Sequence, residues 1–308
     1  MVISLIFEYF SRLAMPMKYK QNVRKPAFLN NLNLLTTGAH TMRTISKTVL
    51  FALGLVILSA INARANDDIE DNSFLVEEAY NQEPGVVQFI FNYQSFKKSK
   101  DTNFSFTTEM PIGTQDHQFS FTAPYNSIDS TSVKGMGDLA LNYRYQLLAN
   151  EQIAMAPRIS LLLPTGDYKK SLGTGSVGLQ FNHTLSAKIN SKLMSHWNIG
   201  FTYTPSYKEP TGATENTTGF NYGTSLVYLY SKTLNFMAEF VGNLNEKLTD
   251  PNTKTTENTF YFIPGVRYAI NCESGMQIVP GIGAPIGFGP SERESAVFLY
   301  LSIENKLW

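Results

Sequence analysis

Seven charged side chains fall where a two-residue alternation puts them on the polar side of a strand: Glu109, Arg144, Arg158, Lys188, Glu239, Arg267 and Glu304. Inward placement follows from cost, because Arg or Lys facing lipid at mid-depth loses about 2–4 kcal/mol. Acids and bases in a narrow polar interior can brace it as ion pairs. They can also form a charged constriction that selects permeants, with Arg144, Arg158 and Arg267 as its cations. Glu239 and Arg267 lie almost symmetrically about Thr253, so the spacing predicts that they face one another across a hairpin. Other chemistry finds little support. His40, His117, His183 and His196 show no metal-ligand spacing. Cys272 is the single cysteine, which excludes a disulfide framework and any CxxC motif. Gly173-Thr-Gly-Ser-Val-Gly178 has the letters of a dinucleotide loop, but a strand follows it where a helix is needed. His183 shares the phase of Val177, Leu179 and Phe181, whereas His196 shares the polar phase of Asn198 and Thr202. No Ser–His–carboxylate set stands out from them. The chain nominates no catalytic residue, no cofactor and no metal.

The elements that must position these charges announce themselves from residue 85 onward. In Asp138-Leu-Ala-Leu-Asn-Tyr-Arg-Tyr-Gln-Leu147, one phase holds Leu139, Leu141, Tyr143, Tyr145 and Leu147. The other holds Asn142, Arg144 and Gln146. Successive strand side chains point to opposite faces, so one face is greasy and the other wet. The pattern predicts strands at 86–96, 103–110, 117–125, 137–148, 152–163, 176–188, 193–205, 219–230, 234–244, 259–270, 276–286 and 296–307. Aromatics crowd the greasy phase, as in Trp197/Ile199/Phe201/Tyr203. Ser, Thr, Asn, Gln and Gly fill the other, as a watery lumen requires. The expected fold is all-β: a transmembrane antiparallel up-and-down barrel of about 12 strands. A soluble barrel would have to bury the same greasy phase inside.

The connections alternate in length. Residues 111–116, 149–151, 189–192, 231–233 and 271–275 are short turns; 126–136, 164–175, 206–218, 245–258 and 287–295 are longer and polar. Only 97–102 breaks the trend. Short turns at one end and long loops at the other is the outer-membrane arrangement, with both termini periplasmic for an even strand count. Pro157, Pro264 and Pro280 inside strands, with Gly265 and Gly281 beside two of them, predict bulges or bends.

Before the barrel, Val49-Leu-Phe-Ala-Leu-Gly-Leu-Val-Ile-Leu58 follows Arg43 and Lys47 and ends at Ala63-Arg-Ala65. A basic start, a short apolar run and an A-x-A site make residues 42–65 a signal peptide, cleaved between Ala65 and Asn66. The run is short for a spanning helix. Residues 1–41, ahead of Met42, then read as a mis-assigned upstream extension. Residues 1–65 hold eight of the 25 bases and one of the 25 acids, which leaves 17 bases, 24 acids and a formal charge of −7. That balance argues against nucleic acid as partner. Residues 66–85 carry seven acids and no Lys or Arg. They form either a solvated periplasmic leader or a plug for one mouth, with two helical turns possible at 73–80. The final strand and its terminal Trp308 point to barrel-assembly machinery as a partner, although Trp308 is out of phase with Val297, Leu299, Leu301 and Ile303.

Gly135-Met-Gly-Asp138, Pro164-Thr-Gly-Asp-Tyr168 and Leu172-Gly-Thr-Gly-Ser176 resemble the outer-membrane family named after the meta-pathway of phenol degradation. The resemblance spans roughly residues 77–308. It implies a transmembrane barrel of transporter type, linked to uptake of hydrophobic or aromatic compounds, and it brings no catalytic residues. The expectation is therefore a bacterial outer-membrane channel for passive uptake of small molecules, embedded in outer-membrane lipid. A non-transporting structural or surface-interaction barrel is the alternative, and a lipid-modifying enzyme is a third.

Overall fold

The computed structural model describes residues 73–250 and 253–306. The expected extension, signal peptide and first leader residues, and Trp308, lie outside the described residues. Twelve long strands form the wall: β1 (Val86–Phe96), β2 (Thr102–Ile112), β3 (Thr114–Ile128), β4 (Leu139–Tyr145), β5 (Ile153–Leu163) and β6 (Gly178–Asn190), then β7 (Leu193–Lys208), β8 (Thr214–Leu229), β9 (Leu234–Asp250), β10 (Thr253–Tyr268), β11 (Gln277–Gly283) and β12 (Ala296–Lys306). Each pairs antiparallel with the next in sequence. β12 returns to β1, in register from Val86–Lys306 to Phe96–Ala296, and closes the ring. Closure satisfies every strand edge, the condition for strands to cross lipid.

The alternation decides which face looks outward. Asn142 and Arg144 of β4 and the following Gln146 are buried, while Tyr143, Tyr145 and Leu147 are exposed. On β7, Trp197, Ile199 and Phe201 are 52%, 51% and 48% exposed. A soluble barrel would hide these side chains; here they form the outer surface. The protein is a transmembrane antiparallel barrel of twelve strands. Among the described residues no helix is long and apolar enough to cross a membrane.

Three details differ from expectation. Residues 206–218 and 245–258 are mostly strand rather than loop. β9 alone has 17 residues, or about 55 Å of strand at about 3.3 Å per residue. Tilted by about 40°, it rises about 40 Å, well past an apolar band of about 25 Å. Outside lipid a strand can be polar on both faces, so Lys254, Thr255, Thr256 and Glu257 look like loop in sequence yet pair with β9. The connection at 111–116 likewise shrinks to Gly113, at φ +73°.

Pro264 and Pro280 produce no bulge, and register runs unbroken through both. At Pro157 it is unbroken toward β6, but on the other side the pairing stops at Arg144–Arg158 and resumes one residue out of step at Leu148–Met155, a bulge beside Pro157 as expected. The other shifts fall near strand ends, at 111/112, 188/190, 215/217 and 248/250. Pro264 and Pro280 instead remove N–H donors around the β10–β11 seam. The seam still runs in one register from Tyr261–Gly287 through Gly265–Gly283, Val266–Ile282 and Arg267–Gly281 to Asn271–Gln277, with gaps in the pairing at Pro264 and Pro280.

The lumen is also not polar all round. Inward positions of β9 to β12 carry Met237, Val241, Ile263, Val279, Phe298 and Tyr300, all buried. With Ile90 of β1 they make an apolar half facing the polar wall of β2 to β7. The alternation sorts inside from outside, but both phases of β12 are apolar, so composition hides the difference.

Candidate functional site

Residues 73–85 lie inside the barrel, and their entry is set by a turn. In Glu83-Pro-Gly-Val86, the Val86 N–H donates to the Glu83 carbonyl at 3.0 Å, and Gly85 takes φ +86°. Proline and then a positive-φ glycine is the type II arrangement. It folds the chain preceding β1 back into the lumen. The helical turns expected at 73–80 do not form. Their main-chain groups bond to the wall instead, which removes the i to i−4 partners a helix needs.

The contacts run from β9 round to β3. The Glu239 carboxylate accepts the N–H of Phe74 at 2.5 Å and of Leu75 at 3.0 Å. Asn198 accepts from Glu77 N–H, Ser186 from Ala79, Gln146 from Asn81 and Gln118 from Gln82, each at 2.7–2.8 Å. Carbonyls are served as well. Arg144 donates to those of Glu78 and Tyr80 at 3.1 and 2.8 Å, and to Asn81 Oδ1 at 2.8 Å.

The seven charges have different placements. Arg144 and Arg158 are cross-strand neighbours on β4 and β5. Arg158 grips the Glu77 carboxylate with two nitrogens, at 2.7 and 3.1 Å, a bidentate geometry that is strong for its size. Glu109 sits 3.8 Å from Arg144 and accepts from Gln118 at 2.8 Å. Glu304 accepts from Gln88, which in turn accepts from Gln82. Arg267 lies over the Tyr300 ring at 5.8 Å. Lys188 is exposed near the end of β6 beside a short turn, apart from this group. The predicted Glu239–Arg267 pairing is corrected: Glu239 stands opposite Ile263 and Arg267 opposite Asn235, four residues apart along the hairpin. Symmetry about Thr253 misplaced them because the β9–β10 pairing is centred on residue 251 instead.

Sequence reasoning missed a second feature, a glycine-lined niche for Phe74. Its ring packs on Phe298 at 5.0 Å and Tyr300 at 5.9 Å between centroids. A Cβ on Gly281 or Gly283 would come within 2.9 Å of that ring, and one on Gly265 would collide with it. A Cβ on Gly223 would likewise reach Val76 at 2.9 Å. The pattern of glycine on inward positions of adjacent strands was the available signal.

Space remains on either side of the segment. A cavity of about 300 Å³ lies between residues 73–77 and the wall carrying Asn92, Thr107, Glu109, Asn142 and Arg158. A second, of about 240 Å³, lies between Leu75/Val76 and Asn221, Tyr222 and Val241. A cavity of about 150 Å³ is enough for one benzene ring.

At the long-loop end the three sequence phrases meet. Asp138 Oδ1 accepts the Gly166 N–H at 2.9 Å, and Oδ2 accepts the N–H and hydroxyl of Thr174, both at 2.7 Å. A Cβ on Gly166 would lie 2.9 Å from the Gly173 Cα, so the two glycines let the loop backbones cross. Lys170, 3.0 Å away, holds the Asp167 carboxyl below its ordinary value. Glu294 ties the loop before β12 to the β1–β2 loop through the N–H groups of Lys98 and Ser99, at 2.9 and 3.1 Å.

Elsewhere in the wall, Ser186 Oγ meets His196 Nδ1 at 2.7 Å, both buried, with the hydroxyl already engaged by Ala79 N–H. His183 is half-buried on the opposite phase of β6. No group of three metal-ligating side chains occurs among the described residues.

This fold is similar to that of the COG4313 outer membrane channel from Pseudomonas putida F1: TM-score 0.56 and 12% identity, covering 74% of this chain and 98% of that one. The NanC porin aligns at TM-score 0.49 and 8% identity, over 71% of this chain and 100% of its own. No curated protein matches the sequence. The family model described as "Putative MetA-pathway of phenol degradation" matches residues 70–283, and the chain belongs to that family.

Proposed function

We propose that this protein is a plugged outer-membrane channel, a passive route for small molecules that include hydrophobic or aromatic ones. Residues 73–85 are its plug. One observation carries the reading: the main chain from 74 to 82 is bonded to the wall of a barrel whose outer surface is greasy. Twelve strands leave a narrow interior, where open porins use about 16. A single peptide segment therefore occupies much of the bore. The charges brace the plug rather than line an open constriction, and the flanking cavities are large enough for a small ring. Neither the geometry nor the family supplies catalytic residues, so a non-enzymatic role fits best. The chain would reach the outer membrane after cleavage between Ala65 and Asn66, and N-terminal sequencing of the mature protein checks that site. β12 would present the assembly signal to the barrel-assembly machinery.

Liposome swelling with small aromatic solutes tests transport. Flux that increases in Arg144→Ala supports a displaceable plug. No flux through folded wild-type or variant barrel would leave a structural or surface-interaction barrel in its place.

A further inference from the structure

The wall holds residues 73–82 mainly by their main chain, as a neighbouring strand would. Asn198 accepts the Glu77 N–H at 2.7 Å and donates to the Glu77 carbonyl at 2.9 Å. Gln146 accepts from Asn81 N–H at 2.8 Å and donates to the Ala79 carbonyl at 2.7 Å. Gln115 donates to the Asn81 carbonyl at 2.9 Å. The wall takes the N–H groups of residues 74, 75, 77, 79, 81 and 82, and from 77 to 81 they follow the two-residue period of an extended chain. Such contacts do not depend on side-chain identity. Asn81 and Gln82 add side-chain hydrogen bonds to Arg144 and Gln88, and two other positions select by ring and by charge. The glycine niche accepts the ring of Phe74, and Arg158 takes the carboxylate of Glu77.

We infer that the lumen is a binding site for extended peptides supplied in trans, with preference for an aromatic residue followed three positions later by a carboxylate. Segment 73–82 is its tethered occupant. The inference rests on the plug reading above, because the site is available only when the segment leaves. A tether of this length gives a local concentration on the order of millimolar, so a free peptide at micromolar concentration cannot compete with an intact plug. Weakening the plug at its two selective side chains frees the site without altering the wall.

The test uses full-length protein in detergent and in planar bilayers, as wild type and as the Phe74→Ala/Glu77→Ala double variant. The probe is a fluorescent peptide with the sequence of residues 73–82, compared with the same peptide carrying alanine for its Phe and its first Glu. The double variant should bind the native-sequence peptide at least about tenfold more tightly than wild type does, and that peptide should lower its conductance. The alanine peptide should do neither. Equal binding to both proteins, or equal binding of both peptides, overturns the inference. A rise in conductance without peptide binding overturns the peptide site and leaves the plug standing; no rise and no binding removes both. Glu77→Gln alone, which keeps the side-chain shape, gives the same ordering should the double variant fail to fold.

Discussion

Glu239 holds the main chain of Phe74: one carboxylate, fully buried in β9, accepts the N–H groups of Phe74 and Leu75 together. A buried donor left without its acceptor costs about 1–3 kcal/mol. Glu239→Gln keeps the shape but leaves one acceptor oxygen for the two N–H groups. It should weaken docking by about 2 kcal/mol, about a thirtyfold rise in the undocked fraction. Single-channel recording reads this as a higher open probability. An unchanged trace would place the plug's hold elsewhere.

Arg144 makes a different prediction because its guanidinium spans the carbonyls of Glu78 and Tyr80 and the side chain of Asn81. A lysine cannot reproduce that fork. Arg144→Lys and Arg144→Ala should therefore raise conductance alike, by about tenfold in undocked fraction. Rescue by lysine would mean that charge alone matters there.

The niche can be filled from the wall. Gly283→Ala sets a methyl 2.9 Å from the Phe74 ring, with Ile263 Cγ2 at 3.1 Å its nearest other neighbour, while the backbone there needs no left-handed conformation. Loss of the ring's burial costs about 1.5–3 kcal/mol of docking and should leave the barrel intact. Hydrogen exchange should show faster exchange at Phe74 and Leu75 with β1–β12 pairing unaltered. Loss of protection in the strands as well would show that the niche stabilises the whole wall.

Acid should loosen the long-loop end first. Partial burial alone would raise the Glu294 carboxyl, but the N–H groups of Lys98, Ser99 and Ser295 outweigh it and hold it below its ordinary value of 4.5. A lowered folded value means its contribution is full above the unfolded value and is lost as pH falls through the folded one. Protection at Lys98 and Ser99, relative to the intrinsic exchange rate at each pH, should therefore fall as pH drops below the carboxyl's ordinary value and should be low at every pH in Glu294→Gln. Protection that persists in the variant would assign the loop's order to other contacts.

The barrel was legible because lipid imposes a rule on every second residue. Tyr143 and Arg144 are neighbours in sequence and face opposite solvents. The extension of β9 and β10 was not legible, because beyond the membrane that rule lapses. The charges were placed inside by cost alone, which does not say what they hold. Arg158 finds its partner in Glu77, 81 positions away. Ser73–Tyr80 read as a short helix because local pattern cannot register a competing wall of side-chain amides. The glycines of β10 and β11 looked like kinks, whereas a ring occupies the space they leave.

Continuity between the segment and β1 ties the closure of the ring to its contents. β1 is also the strand that meets β12 to close the ring, in register over its whole length. Its N-terminal neighbour is bonded to β3, β4, β6, β7 and β9, strands spread over more than half of the wall. A segment anchored covalently at the seam and by hydrogen bonds to five other strands fixes the spacing of their inner faces. The barrel thus carries its own internal brace.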